Sequence, residues 1–242
     1  MDQFSRTERL LGAGAMARLR DARVAVFGIG GVGGHAVEAL ARSGVGALDL
    51  FDDDVVSLTN LNRQIIATHD AISRPKVEVM AARLAAIAPQ CRVVPHRLYY
   101  MPDTADAVDL SAFDYIVDAV DTVPAKVELA ARATALGVPI ISAMGAGNRL
   151  DPTRLAVADL FDTAGCPLAR VMRRELRKRG VRRLKVVWST EPPVEAKGEA
   201  DADDVGPHPR RSVPGSTAFV PPAMGLAIAA EVVRALGGVQ PA

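Results

Sequence analysis

Gly28-Ile29-Gly30-Gly31-Val32-Gly33 and Asp52 are the residues whose types and spacing first suggest chemistry. Glycines packed this closely let a backbone approach a phosphate. A helix that starts there offers unpaired N–H groups and a partial positive charge. Asp52 follows Gly33 by 19 residues, the interval at which an acid can accept hydrogen bonds from a ribose. Such a turn can also serve only to pack a helix on a strand. With strand, turn, helix and acid in this order, it reads as a nucleotide site.

Those features suit a dinucleotide and a triphosphate equally, and the next segment separates them. Asp52, Asp53 and Asp54 are followed by Asn60, Asn62, Arg63 and Gln64, and Lys76 comes thirteen residues after Arg63. A dinucleotide has no need of cations beside the ribose acid. A triphosphate does, because charge develops on its phosphates as pyrophosphate leaves. Arg63 can grip two oxygens at once, whereas Lys76 acts as a point charge. Asp54 and Asp121 offer hard oxygens suited to magnesium. The expected ATP contacts are therefore Gly28, Gly30, Gly31, Gly33, Asp52, Asp54, Asn60, Arg63, Gln64 and Lys76. The residues expected to act on the chemistry are Arg63, Lys76 and Asp121.

The elements that must hold these groups are legible in the hydrophobic pattern. Residues 23–28 form a buried β-branched strand ending in glycine. Val32 to Ser43 reads as a helix stopped by Gly44 and Gly46. Strands follow at 47–51, 92–95, 115–119 and 138–142, with helices over 76–88 and 124–136 between them. This alternation predicts an α/β fold, a Rossmann-like, doubly wound, mainly parallel sheet with helices on both faces. Asp121 follows the 115–119 strand, so it belongs to the carboxyl edge, where ligands bind. Beyond Gly145 the pattern predicts strands at 155–158 and 184–189 around a basic helix, 167–179. Residues 192–215 are rich in proline and acid and read as a mobile loop within a single 1–242 domain. A helix over 222–236 closes the chain.

Composition narrows the function classes. The 242 residues carry 29 Lys plus Arg against 28 Asp plus Glu, a formal charge of +1, which excludes a globally basic nucleic-acid binder. A local basic patch stays open, and DNA is not among the expected partners. Cys91 and Cys166 are too few for a disulfide scaffold or a four-thiolate zinc site. His35 and His69 lack metal-ligand spacing. The N-terminus has no apolar core of a secretory signal, and 218–236 contains Pro221, Pro222, Glu231 and Arg234. The expectation is a cytoplasmic protein with no membrane partner.

The GxGGxG turn, the DxDxVxxxNLNRQ segment, Lys76 and Asp121 together resemble the E1-like adenylating enzymes. The resemblance implies that the turn and acid bind the adenosine moiety, that Arg63 and Lys76 hold the phosphates, and that Asp121 helps place magnesium. It also implies a homodimer in which an N-terminal arginine reaches the partner's phosphates, with Arg9 the candidate here. A solvated charged face is the alternative for Arg9. Zinc-binding CxxC pairs, usual in the sulfur-carrier activators of that family, are absent from this sequence.

The second half resembles a smaller branch, the tRNA threonylcarbamoyladenosine dehydratases. The matching segments are RTERLLG near the start, 146–153, 157–160, Pro167-Leu168, Trp188-Ser189-Thr190-Glu191-Pro192 and Gly215-Ser216-Thr217-Ala218-Phe219-Val220-Pro221. What the resemblance implies is ATP-dependent adenylation of the threonyl carboxylate on adenosine 37 of tRNA, followed by intramolecular ring closure. It further implies a monovalent cation, sodium or potassium, near the C-terminal segment. A sulfur-relay protein is an implied partner. The thiol that some relatives carry around 210–216 is replaced here by Arg210, Arg211, Ser212, Val213, Pro214, Gly215 and Ser216. The alternative enzyme reading is an adenylyltransferase for the Gly-Gly tail of a ubiquitin-like sulfur carrier.

Two local features bear on that reading. Residues 170–185 hold nine basic side chains and one acidic one. Arg170, Arg173, Arg174 and Arg177 share a helical stripe, which makes them the RNA-contact candidates. Pairing with the acidic run at 199–204 is the alternative. Cys166 precedes Pro167 at a helix start, where a thiol can be activated, but ring closure needs no enzyme nucleophile.

Overall fold

The computed structural model describes residues 2–198 and 214–239. Most of the loop expected over 192–215, with Arg210, Arg211 and the acidic run, lies outside the described residues. Two short helices open the fold, α1 (Ser5–Leu11) and α2 (Ala13–Asp21). The sheet is then built from β1 (Arg23–Phe27), β2 (Ala47–Phe51), β3 (Arg92–His96), β4 (Tyr115–Asp118), β5 (Ile140–Ala143), β6 (Leu155–Asp159) and β7 (Lys185–Ser189). The intervening helices are α3 (Gly33–Arg42), α4 (Lys76–Ile87), α5 (Val123–Leu136) and α6 (Pro167–Lys178), and α7 (Val220–Gly237) comes last.

Strand order is β3-β2-β1-β4-β5-β7-β6. All neighbours run parallel except β6, which is antiparallel to β7. The order reverses between β1 and β4, so the carboxyl ends of these two strands frame the crevice typical of such sheets. On one face the core joins α2, α3, α4 and α7 through Leu19, Leu40, Met80 and Ile228. On the other, α5 and the 98–113 segment cover Phe27 and Ile116, and α5 with α6 cover Val186 and Trp188. Apolar residues at Ala169, Met172 and Leu176 turn α6 inward and leave Arg170, Arg174 and Arg177 outside.

Proline at the first turn and a left-handed glycine after the last mark both α5 (Pro124, Gly137) and α7 (Pro221, Gly238). α7 is long and apolar enough to cross a bilayer, yet half of it is buried against α3 and the sheet. Its Glu231 pairs with Lys185 on β7. It is a core helix.

Candidate functional site

The glycine turn is forced by contact, not merely permitted. Gly28 has φ +88°, and a Cβ there would lie 2.6 Å from the Ala119 carbonyl oxygen after β4. A Cβ on Gly33 would collide with the Gly28 carbonyl oxygen. The turn thus closes on itself and delivers the start of α3 to the crevice. Asp52 ties it to β2: the Ile29 amide donates to Oδ2 at 2.6 Å and the Asp54 amide to Oδ1 at 2.9 Å. Burial pushes the Asp52 carboxyl above the usual carboxylate range, and the Lys76 charge and the Ile29 amide only partly offset this.

The segment after β2 doubles back and fixes Lys76. Val55 bridges Pro75, the Val56 amide donates to the Arg74 carbonyl, and the Lys76 amide donates to the Asp54 carbonyl at 3.0 Å. Lys76 opens α4, is buried, and places Nζ 2.8 Å from Asp54 Oδ2. Between these arms, Asn60 closes a capping box: its Oδ1 accepts from the Ser57 amide at 3.2 Å. The sequence reading placed Asn60 on the nucleotide; here its carbonyl oxygen holds its own turn. Arg63 donates to the Thr59 carbonyl and to Asn62 Oδ1, both at 2.9 Å. Asn62 in turn donates to the Ser216 carbonyl at 3.2 Å, joining this segment to the C-terminal one. Gln64 is buried, and its Oε1 has no hydrogen-bond partner among the described residues.

Asp52, Asp53 and Asp54 bring carboxylate oxygens within 4.8 Å of one another, a donor set that suits a hard divalent cation. Asp121 is exposed beyond β4 and stands outside this triad. A fully buried ion pair stands behind Asp121. Lys126 Nζ lies 2.9 Å from Asp118 Oδ2, and Ser142 Oγ donates to the same oxygen at 2.5 Å. Lys126 also donates to the Val120 carbonyl at 3.3 Å, which fixes the backbone just before Asp121. Sequence reasoning missed this pair, because a lysine inside an apolar helix pattern gives no sign of a tertiary partner.

Arg9 is not gathered with these groups within the chain. It is exposed on α1 beside an open cavity of about 710 Å³ lined by Ser5, Arg6, Glu8, Arg9 and Ala13. The preceding Phe4 packs at Gly44, at the opposite end of α3 from the glycine turn.

The basic stripe on α6 divides. Arg173 turns inward and donates to the Thr163 hydroxyl and, at 2.9 Å, to the Thr163 carbonyl. Its Nη1 is engaged within the fold, because Thr163 follows the short turn at 160–162 and lies within its reach. Arg170, Arg174 and Arg177 are exposed, Arg177 with its guanidinium 5.3 Å from the centre of the Phe161 ring. Cys166 is buried at the N-cap of α6, and Cys91 is buried too, with its thiol pushed up to about 11 by burial. Neither thiol faces the crevice as an accessible nucleophile.

Comparison with known proteins places this geometry. The model of the ThiF family matches residues 4–242. The chain is 39% identical over 241 residues to a tRNA threonylcarbamoyladenosine dehydratase of Bacillus subtilis, covering 98% of this chain and 95% of that protein. Solved structures of an Escherichia coli tRNA N6-threonylcarbamoyladenosine dehydratase are 34% identical. The AMP complex superposes with a TM-score of 0.86, covering 98% of this chain and 94% of that one. The ATP complex superposes with a TM-score of 0.83, covering 99% and 96%. A sulfur carrier protein ThiS adenylyltransferase of Escherichia coli is 38% identical over 139 residues, which is 55% of this chain and 53% of that protein.

Proposed function

The chain belongs to the ThiF family, and from that premise we propose that it is an ATP-dependent tRNA threonylcarbamoyladenosine dehydratase. The observation that carries this reading is the extent of the likeness to a dehydratase, which runs through both halves of the chain. The likeness to a sulfur-carrier adenylyltransferase covers only 55% of it. A nucleotide half alone would fit either activity.

The proposed chemistry has two steps. The threonyl carboxylate on the tRNA attacks the α-phosphorus of ATP, and pyrophosphate leaves. A carboxylate oxygen is a poor leaving group; transfer to AMP turns it into a good one. An atom of the same substituent's carbamoyl group then attacks the activated carbonyl, and AMP departs with that oxygen. The net change in the nucleoside is loss of one water. Ring closure is intramolecular and benefits from proximity, so no enzyme thiol is needed, in keeping with two buried cysteines.

Each side chain has a task in this scheme. The glycine turn and the start of α3 receive phosphate oxygens, and Asp52 accepts from the ribose hydroxyls. Arg63 and Lys76 offset the charge that develops as pyrophosphate leaves. Magnesium, when bound, would neutralise phosphate charge, and Asp54 and Asp121 would hold it. Sodium or potassium near 214–217 belongs to the same reading. Arg170, Arg174 and Arg177 present an exposed cationic face to the RNA backbone. Arg9, remote from its own crevice, is assigned to the partner's phosphates in a homodimer. The whole of 1–242 acts as one adenylating domain, in the cytoplasm where tRNA is found. A sulfur-relay partner would have to bind without a thiol at 210–216.

The test is purified protein with ATP, magnesium and tRNA bearing threonylcarbamoyladenosine, digested and read by mass spectrometry. ATP-dependent loss of one water is the expected result. An unchanged nucleoside mass with ATP still bound would move the assignment to a protein substrate with a Gly-Gly tail.

A further inference from the structure

We propose that Arg149 is the residue that recognises the substrate's free carboxylate, the group to be adenylated; this rests on the dehydratase reading. Arg149 follows β5, is only 2% exposed, and its Nε and Nη1 have no hydrogen-bond partner among the described residues. A guanidinium keeps its charge in a protein and presents a planar fork that matches a carboxylate. Two buried guanidinium nitrogens without a partner among the described residues cost stability, which points to an anion that arrives from outside. Glu191 does not fill that role. Its carboxylate accepts from the Leu150 amide at 3.0 Å and the Asp151 amide at 3.1 Å.

The surroundings connect Arg149 to the nucleotide crevice. The adjacent Asn148 amide donates to the Gly215 carbonyl at 2.8 Å, and the next carbonyl, Ser216, accepts from Asn62 beside Arg63. The same C-terminal segment reaches the glycine turn, where a Cβ on Gly31 would lie 3.3 Å from Pro221 Cβ. Two other buried polar atoms without partners among the described residues, Gln64 Oε1 and Thr217 Oγ1, belong to the segments that these bonds join. A site with a charged fork and two neutral acceptors suits a small substituent carrying a carboxylate, a hydroxyl and N–H groups.

Burial argues against the other anions present in the reaction. An RNA backbone is met by exposed cations such as Arg170, Arg174 and Arg177, not by a guanidinium enclosed in the fold. ATP phosphates already have Arg63 and Lys76.

The experiment measures binding of three anticodon stem-loops to wild-type protein, Arg149→Met and Arg149→Lys. One stem-loop bears threonylcarbamoyladenosine, one bears its carboxyl methyl ester, and one is unmodified. Wild type should prefer the free acid over the ester by about tenfold or more, the effect of one charge-assisted bidentate pair. Arg149→Met should lose that preference while ATP affinity and binding of the unmodified stem-loop stay unchanged, and Arg149→Lys should recover part of it. Thermal unfolding without ligand supplies the control, and Arg149→Met should unfold no lower than wild type. A surviving preference for the free acid in Arg149→Met would overturn the assignment, as would equal weakening of the unmodified stem-loop or a large fall in thermal stability. Wild type that dehydrates tRNA while Arg149→Met keeps its preference defeats this inference alone. Wild type that neither dehydrates nor discriminates defeats the dehydratase reading with it.

Discussion

Asp49 and Asp52 lie three residues apart, on β2 and just beyond it, and their environments are opposite. Asp49 is fully buried and matched by cations. Arg23 grips both of its oxygens at 2.8 Å, and His96 Nε2 approaches Oδ1 at 2.8 Å. Burial alone would raise its pKa, but Arg23 and His96 outweigh it and hold the carboxyl below the usual range. Asp52 accepts two backbone amides and has no such cation grip, so burial dominates and its pKa rises. The difference teaches how to separate an acid that completes a core from one that awaits a ligand. The first has its charge met within the fold; the second is left with charge that a ribose hydroxyl or a cation can engage.

Isosteric removal of charge at each position is the strongest way to break this contrast. Asp49→Asn should cost about 3 kcal/mol of stability, because it strands the Arg23 guanidinium against a neutral buried amide. Its ATP affinity should be unchanged. Asp52→Asn should leave stability near wild type and weaken ATP binding by about tenfold or more. Chemical denaturation and calorimetric titration on both variants check this. Stability loss confined to Asp52→Asn would reverse the assignment of roles.

The catalytic side of the same edge gives the next largest effect. Arg63→Ala or Lys76→Ala should lower the adenylation rate by about 10² or more, as loss of one electrostatic stabiliser does. Pyrophosphate release under saturating ATP reads this directly. Near-normal turnover in both variants would remove them from the phosphate clamp.

Much of this edge was legible in the sequence because its residues are nearly consecutive. The glycine turn, Asp52, Arg63 and Lys76 occupy one stretch of strand, turn and helix, and local pattern suffices to place them. What escaped were relations between distant segments. The direction of β6 is set by its pairing with β7, not by its own residues. α1 buries no side chain, and α2 buries only Ala15, Met16 and Leu19. Periodicity put Arg173 on the exposed stripe correctly as an angle, but Thr163 lies within its reach. Arg149 reads as an ordinary charge in Asn148-Arg149-Leu150 until its missing partners are seen. The Ser57-x-x-Asn60 spacing, by contrast, is a capping-box signal that local sequence carries.

Acid titration turns the aspartate contrast into an ordering in pH. Asp49 has a depressed pKa, so its contribution to stability is complete above the unfolded carboxylate value and is lost as pH falls through its lower folded value. Asp52 has a raised pKa. Its ionised form disfavours folding above that value, and protonation on acidification relieves the penalty while removing the acceptor that a ribose needs. ATP affinity should therefore fall at a higher pH than the one at which the fold melts. Binding and circular dichroism followed on one acid series test this. Coincident loss of binding and structure would mean that Asp52 does not titrate independently of the core.

The smallest effects distinguish the two kinds of arginine on α6, and they apply the same rule to cations. Arg173 is matched by the Thr163 hydroxyl and carbonyl of another segment, whereas Arg174 is exposed and forms a surface ion pair with the adjacent Glu175 at 2.6 Å. Arg173→Ala should cost about 1–2 kcal/mol of stability, the value of hydrogen bonds from a charged donor, and should leave the salt dependence of tRNA binding intact. Arg174→Ala should leave stability within about 0.5 kcal/mol. It should weaken binding to modified and unmodified tRNA alike and reduce the log–log salt slope by about one. Arg173 is held by a hydroxyl and a carbonyl from another segment, whereas Arg174, paired among the described residues only with its sequence neighbour Glu175, is the side chain proposed to meet RNA. An unchanged salt slope in Arg174→Ala would move the RNA contact off this helix and leave α6 as a solvated face.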